Sequence, residues 1–306
     1  MKTEVGSPKI LVTGATGRQG GSGRAVVEAL LSRGLAVRAL VRTLDERAQA
    51  LSNLGVEVVV GDFGDHESLI RALDGIESAY FCYPVGGGIA EAAGLFAAAG
   101  RQQGLQRVID LSLGTSRPDS PSPQGRAQWV AEQIFEWAGF AGIHLRIAAF
   151  FMENIALIDA PSIRARGEIA NAFGDHPLSW ISGADVGRIA AHLLVEPALL
   201  KDRVLLLGGV EQLSYADIAS KIQSVVGKPV VYRELMPDEW RRRLVEASAA
   251  KGDANARGAD HLVAQAAALR QRPPLPVTDQ FLKITGSQPT LFSAFVEARR
   301  DELTPI

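Results

Sequence analysis

The sequence predicts a doubly wound α/β protein, in which a parallel sheet carries helices on both faces and a smaller, mostly helical region completes the chain. Three observations lead there. Short apolar runs alternate with longer amphipathic stretches from Lys9 to about Phe151, the pattern of strands separated by helices. The intervening stretches are long enough for helical crossovers, which parallel strands need and antiparallel hairpins do not. A glycine cluster falls between the first apolar run and the first amphipathic stretch, where a doubly wound sheet keeps its ligand-binding turn.

Taken in order, KILVTG is the first expected strand. The stretch to Ser32 is the first helix, because Val26, Val27, Leu30 and Leu31 share one stripe and Gly34 is placed to cap its C-terminus. AVRALV, VEVVVG, SAYFCY, RVIDLSL and HLRIAAF are the following strands, each preceded by a helical stretch. Gly114 to Gly125, with Pro118, Pro121 and Pro123, reads as a loop over the cleft, and a helix opens with Gln124 to Glu132. After Asn154 the rhythm changes. A helix over Gly187 to Leu194 and a strand over Arg203 to Leu207 fit the sheet, while the rest reads as helices and loops. Ser214 and Asp217 form an N-cap pair opening a helix to Val226. Pro237, Asp238 and Glu239 open another with Trp240 and Leu244, Ala254 to Arg270 is alanine-rich and helical, and the last helix runs from Thr290 to about Leu303. At 306 residues the chain has room for about two domains. The division expected is 1–153 for a core completed by about 184–210, with 154–183 and 211–306 as a small substrate-binding or cap region.

Composition narrows the function. With 47% hydrophobic and 22% charged residues and a net charge of -2, the chain buries a full core and has no basic surplus for direct nucleic-acid binding. The single cysteine, Cys82, forms no internal disulfide, and five scattered histidines give no zinc spacing. A reducing compartment, the cytoplasm, and no metal are expected. Gly6, Ser7, Pro8 and Lys9 break the N-terminal apolar stretch, and no later run is long enough to span a bilayer, so no membrane partner is expected.

The strongest chemical signal is LVTGATGRQG. Gly14-x-x-Gly17-x-x-Gly20, between a strand and a helix start, lets backbone approach a pyrophosphate whose charge sits on the helix N-terminus. Thr16, Arg18 and Gln19 complete that loop, and Gly17-x-x-Gly20-x-x-Gly23 is an alternative register. The bland alternative is a tight turn with no ligand. At the end of the second strand an acid would hydrogen-bond the ribose 2′-hydroxyl of NAD, and an arginine would pair with the 2′-phosphate of NADP. Arg42 stands there and Asp45 lies further into the loop, so NADP(H) is the expected cofactor. Asp62 and Phe63, after the third strand, either border the adenine or begin a turn.

A short-chain dehydrogenase on this framework would use a Tyr-x-x-x-Lys pair, the lysine tuning the tyrosine as a proton donor. Four residues after Tyr80, Tyr83, Tyr215 and Tyr232 stand Pro84, Gly87, Ala219 and Met236, and no lysine occurs between Lys9 and Lys201. The pair is absent.

GATGRQG, Arg42, GDFGDHESLIRALDGIESAYF, RVIDLSL, LRIAAFFMEN and ISGADVGRIAA together resemble the NmrA-like and isoflavone-reductase-like branch of atypical short-chain dehydrogenases/reductases, and ITGSQPTLFSAFV resembles that family's closing segment. The resemblance implies a Rossmann core with a small C-terminal cap, NADP(H) in the cleft and any substrate over the nicotinamide. It places Ser112, Phe150, Phe151 and Asn154 near the nicotinamide ribose. Gln128 takes the place where many relatives keep a Lys or His, which leaves the acid-base machinery open among Ser112, Gln128 and Asn154. Tyr83, Phe151, Met152, His176 and Trp180 would make an aromatic, apolar substrate wall, though Met152 and Trp180 equally suit the junction of core and cap. Two functions follow. One is an NADPH-dependent oxidoreductase passing hydride to a quinone-, azo- or imine-like acceptor, whose product needs no enzymic acid. The other is a non-catalytic NADP(H) sensor acting through a protein partner.

Overall fold

The computed structural model describes residues 9–17, 21–84, 87–196, 202–249, 256–271 and 276–306. The chain begins with an alternation of strand and helix: β1 (Ile10–Thr13), α1 (Ser22–Leu31), β2 (Val37–Val41), α2 (Glu46–Ser52), β3 (Glu57–Val60), α3 (His66–Leu73), β4 (Ser78–Phe81), α4 (Ile89–Gln103), β5 (Arg107–Leu113), α5 (Pro123–Trp137) and β6 (Ala141–Ile147). Local chemistry sets the helix starts. Asp45 accepts from the Arg47 and Ala48 amides, Asp65 from Glu67, and Ser122 from Gly125, with Pro123 in the first turn of α5. The expected loop to Gly125 therefore ends at Ser122, because serine and proline start the helix earlier.

There follow β7 (Phe150–Phe151), a π-helical turn (Ile155–Asp159), α6 (Ala160–Arg166), β8 (Glu168–Asn171), β9 (Leu178–Ile181), α7 (Gly183–Val195) and β10 (Val204–Leu207). The chain ends with β11 (Glu211–Leu213), α8 (Tyr215–Val226), β12 (Val231–Glu234), α9 (Pro237–Ala249), α10 (Ala256–Leu269), α11 (Gln280–Thr285), α12 (Phe292–Ala298) and α13 (Arg300–Leu303). Ser214 and Asp217 form a reciprocal capping box at α8. The expected final helix is divided, since Arg299 leaves helical geometry at φ -123° between α12 and α13. Among the described residues no helix is long and apolar enough to cross a membrane.

Two compact units result. The first comprises Met1–Ile147, Gly183–Leu207 and Gln280–Gln288. Its seven strands lie in the order β10-β6-β5-β4-β1-β2-β3, and every pairing is parallel. The order reverses beside β1, between β2 and β4, which makes a crevice at the strands' C-terminal ends. One face is covered by α3, α4 and α5, whose apolar stripes bury Leu69, Phe96 and Phe135 against Leu11 and Phe81. Phe81 meets Phe96 at 5.2 Å and Phe135 at 4.9 Å, edge to face. Elsewhere α1 and α7 pack together, and Gly187 permits their approach, because a Cβ there would lie 2.4 Å from that of Ala25.

The second unit comprises Ala148–Ser182, Gly208–Asp279 and Pro289–Ile306. It is mostly helical around two small sheets, β11-β9-β7 and β12-β8. The sheets were not expected, because their strands are two to four residues long and pair distant segments, as Phe150 does with Trp180 and Val231 with Glu168. Its core gathers Met152, Ile155, Phe173, Trp180, Ile218 and Phe292. Each fully buried side chain of this size contributes about 1.5–3 kcal/mol. Compared with the sequence division, the first boundary falls at Ile147 and residues 280–288 return to the sheet unit.

Candidate functional site

The crevice beside β1 is shaped by glycine geometry. Gly14 has φ +73°, and a Cβ on it would lie 2.9 Å from Cys82 Sγ, so both backbone and space demand glycine. The Gly17 amide donates to the Gly14 carbonyl at 3.0 Å and closes the turn. Gly21, at φ +62°, is the N-cap of α1, whose first turn holds no acidic residue. At Gly23 a Cβ would lie 2.6 Å from the Gly14 carbonyl carbon and oxygen and 2.8 Å from the Ala15 nitrogen, so the helix rests directly on the turn. The Tyr80 hydroxyl fixes this helix end by donating to Ser22 Oγ at 2.9 Å. The close-packing role belongs to Gly23. Arg18, Gln19 and Gly20 lie outside the described residues. The result is a rigid, positively polarised helix end at the switch point, suited to an anion.

Beside it, Arg42 is exposed at the end of β2 and makes no hydrogen bond or ion pair with another described residue. Asp45 is occupied. It caps α2 and pairs with Arg47, which holds its carboxyl below the usual range, while Arg47 Nη1 also donates to the Thr16 carbonyl at 2.7 Å. Asp62 accepts from the Gly64 amide at 2.8 Å and so opens a turn. Phe63 is half-buried and lies edge-on to Phe81 and Tyr83, at 5.3 Å from each. Tyr83 is half-buried, with its hydroxyl 3.4 Å from the Gly87 carbonyl.

Ser112 and Gln128 belong to a buried polar network that the sequence reading missed. Register places Asp110 opposite His144 and Ser112 opposite Arg146, so the four side chains share one face of β5 and β6. On α5, Gln128, Glu132 and Glu136 recur at intervals of four. The Ser112 hydroxyl donates to Glu132, which also receives Arg146 through two nitrogens at 3.0 and 2.6 Å. Gln128 Nε2 donates to the Leu111 carbonyl at 3.2 Å. His144 bridges Asp110 and Glu136, each at 3.2 Å. Burial raises the Asp110 pKa against the pull of His144. Burial opposes the His144 cation, yet its acidic neighbours outweigh that and raise its pKa. Asp110, Glu132 and His144 bring ligand-type atoms within 4.8 Å of one another, but Arg146 already supplies Glu132 with its counter-charge. Ser112 and Gln128 are thus 1% and 3% exposed and bonded within the sheet unit.

In the second unit Phe150 and Phe151 are half-buried in β7, and His176 is half-buried in the turn before β9. Met152 and Trp180 have no exposed surface, and the Trp180 indole donates to the Leu213 carbonyl at 2.9 Å. They fill the core, a correction to their place in a substrate wall. Asn154 borders a small cavity that also holds Asp159, Asn171 and Tyr215 among aromatic rings. Burial alone lifts the Asp159 carboxyl to about 8, and burial foremost holds the Tyr215 phenol well above its ordinary range. Sequence periodicity gave no sign of this group, whose members come from the π-helical segment, β8 and α8.

Comparison with known proteins accords with this architecture. An NAD(P)H azoreductase of Xenophilus azovorans is 27% identical over 292 residues, covering 94% of this chain and 97% of the relative. A (4-alkanoyl-5-oxo-2,5-dihydrofuran-3-yl)methyl phosphate reductase of Streptomyces griseus is 30% identical over 241 residues, covering 77% and 80%. The crystal structure of an NADPH-dependent quinone oxidoreductase of Escherichia coli in complex with NADPH shares the fold, with a TM-score of 0.79, 24% identity, and coverage of 95% of this chain and 99% of that one. The NmrA-like family matches residues 6–268, and the chain belongs to that family.

Proposed function

We propose that the protein is an NADPH-dependent oxidoreductase that passes hydride to conjugated or aromatic acceptors of the quinone, azo or imine type. The observation that carries the reading is the glycine turn, where Gly14 and Gly23 leave no space for a Cβ and α1 presents its N-terminus at the switch point. A pyrophosphate fits that cradle, and Arg42, which engages no carboxylate among the described residues, fits a 2′-phosphate. The reductases of azo and furanone compounds among the relatives support the acceptor class.

NADPH, when bound, supplies the hydride. The protein's part is positioning. Gly14, Thr16 and Gly17 would hold the phosphates against backbone, Gly23 lets α1 rest on that turn, and Arg42 would select the phosphorylated adenosine. Phe63 and Tyr83 offer the sheet unit's apolar edge to the cofactor. Ser112 and Gln128 spend their polar atoms on Glu132 and the Leu111 carbonyl, so neither is the proton donor a simple ketone needs. Acceptors whose reduced form is delocalised or neutral take their proton from water. With one cysteine the chain forms no internal disulfide, which suits a reducing cytoplasm.

Stopped-flow absorbance of NADPH against quinones, azo dyes, iminium compounds and simple ketones tests the reading. Rapid oxidation by the first three, with ketones far slower, is expected. Tight NADPH binding with no consumption by any acceptor removes the reductase and leaves a nucleotide sensor acting on a protein partner, a reading that the bonded Gln128 favours.

A further inference from the structure

We infer that the Asp159 cavity is an oxygen-binding subsite, which takes the carbonyl or phenolic oxygen of an aromatic molecule on hydrogen bonds from Asp159, Asn171 and Tyr215. The inference rests on the proposed reductase only for the chemical class of that molecule. Asp159 lies inside a continuous helical stretch, where the π-helical turn passes into α6, and its side chain accepts no helix amide. It is 6% exposed, has no hydrogen bond or ion pair among the described residues, and closes a π-helical turn, a distortion common at functional sites. Asn171 is 1% exposed. Its Oδ1 accepts from the Phe173 amide and the Tyr232 hydroxyl, while Nδ2 is buried without a partner. Both residues line the same cavity with Tyr215, in a space for roughly one water-sized group.

The charge balance selects the guest. Among the described residues no Lys, Arg or His lines the cavity, so a carboxylate or phosphate finds no counter-charge. Tyr215, from α8, is the other ionisable lining group and feels Asp159 directly. Tyr232, from β12, stands behind it, and burial raises both phenols above their ordinary range. A carboxylic acid kept neutral by an apolar site donates a hydrogen bond at pH 7. Asp159, the Asn171 amide and the Tyr215 hydroxyl then present donors in excess, which calls for an acceptor oxygen. Phe150, which is half-buried, is the lining ring that keeps surface beside it, while Phe173 and Trp240 close the cavity from the core.

The test uses 9-fluorenone, an aromatic ketone that neither titrates nor requires NADPH to bind. Affinity is read by calorimetry, and the carbonyl stretch of the bound ketone by infrared difference spectroscopy. The parent is expected to bind with a lowered stretch and to lose more than about tenfold in affinity by about pH 9.5, as Asp159 ionises. Asp159→Asn keeps a donor and should bind independently of pH. Asp159→Leu should weaken binding at least about tenfold and restore the free stretch, and Tyr215→Phe, which keeps the ring packing, should weaken it less. No binding to the parent, or a stretch and affinity equal in parent and Asp159→Leu, overturns the subsite. NADPH oxidation with an insensitive fluorenone response sinks the cavity and spares the reductase. The reverse pair of results sinks the reductase and spares the cavity.

Discussion

Replacing Asp159 with asparagine should change how stability depends on pH. Burial lifts this carboxyl from an ordinary 3.8 to about 8. Between those values the folded protein holds a proton that the unfolded chain has released, so stability falls as pH rises. The contribution is fully present below about pH 4 and lost by the time pH has passed through about 8. Each pKa unit corresponds to about 1.4 kcal/mol, and a shift of roughly four units gives about 6 kcal/mol across the window. Asparagine has nearly the same shape and does not titrate. The stability of the variant relative to the parent should therefore be flat at low pH, climb about 1.4 kcal/mol per unit, and level off above about pH 8. Any fixed cost of the amide shifts that curve without changing its slope. Urea unfolding at a series of pH values from about 4 to about 9 supplies the comparison, with the other titrations cancelling in the difference. Parallel curves for the two proteins would refute the reasoning, because they would mean that Asp159 is ionised in the folded state.

Three further outcomes test the other clusters. Arg42→Ala should remove most of the preference for NADPH over NADH, a factor of roughly 10 to 150 from about 1.5–3 kcal/mol of charge-assisted contact, read by calorimetry with both nucleotides. Gly23→Ala should abolish the stabilisation by NADPH in a thermal-shift assay and cost about 1–3 kcal/mol by itself, since its Cβ meets only backbone. Retention of full NADPH stabilisation would show that the helix need not rest on the turn. Glu132→Gln should destabilise the sheet unit by about 3 kcal/mol, because the Arg146 cation loses its bidentate partner, and an unfolding midpoint equal to the parent's would contradict that.

The sheet was legible in sequence because its strands are apolar runs with full helical crossovers between them, and the Gly14 turn because a positive φ leaves few residue choices. The capping box at Ser214 was legible because it is local. What escaped depends on contacts between distant segments. Phe150 closed the expected strand HLRIAAF, and only pairing with Trp180 and Ile181 sets Phe150 and Phe151 apart from β6 as a strand of their own, so the small sheets escaped. Asp110 looked like an ordinary strand residue and Ser112 like a candidate beside the nicotinamide, until the register set them against His144 and Arg146. Trp180 and Met152 suited a binding wall by composition, and only their packing shows that they are core. Asp159 gave no signal, because its partners in the cavity come from β8, α8 and α9.

The three-part composition of the sheet unit bears on how it is made. On the ribosome β6 is complete long before β10, and residues 148–203 emerge in between. At about 5–20 residues per second, β6 keeps an open parallel edge for several seconds, a template for another chain's strand. Val204–Leu207 closes that edge in register with His144–Ile147. A chain stopped before Val204 should therefore be prone to aggregation even with its glycine turn and first six strands already made, and recombinant fragments of the nucleotide-binding half should extend past Leu207.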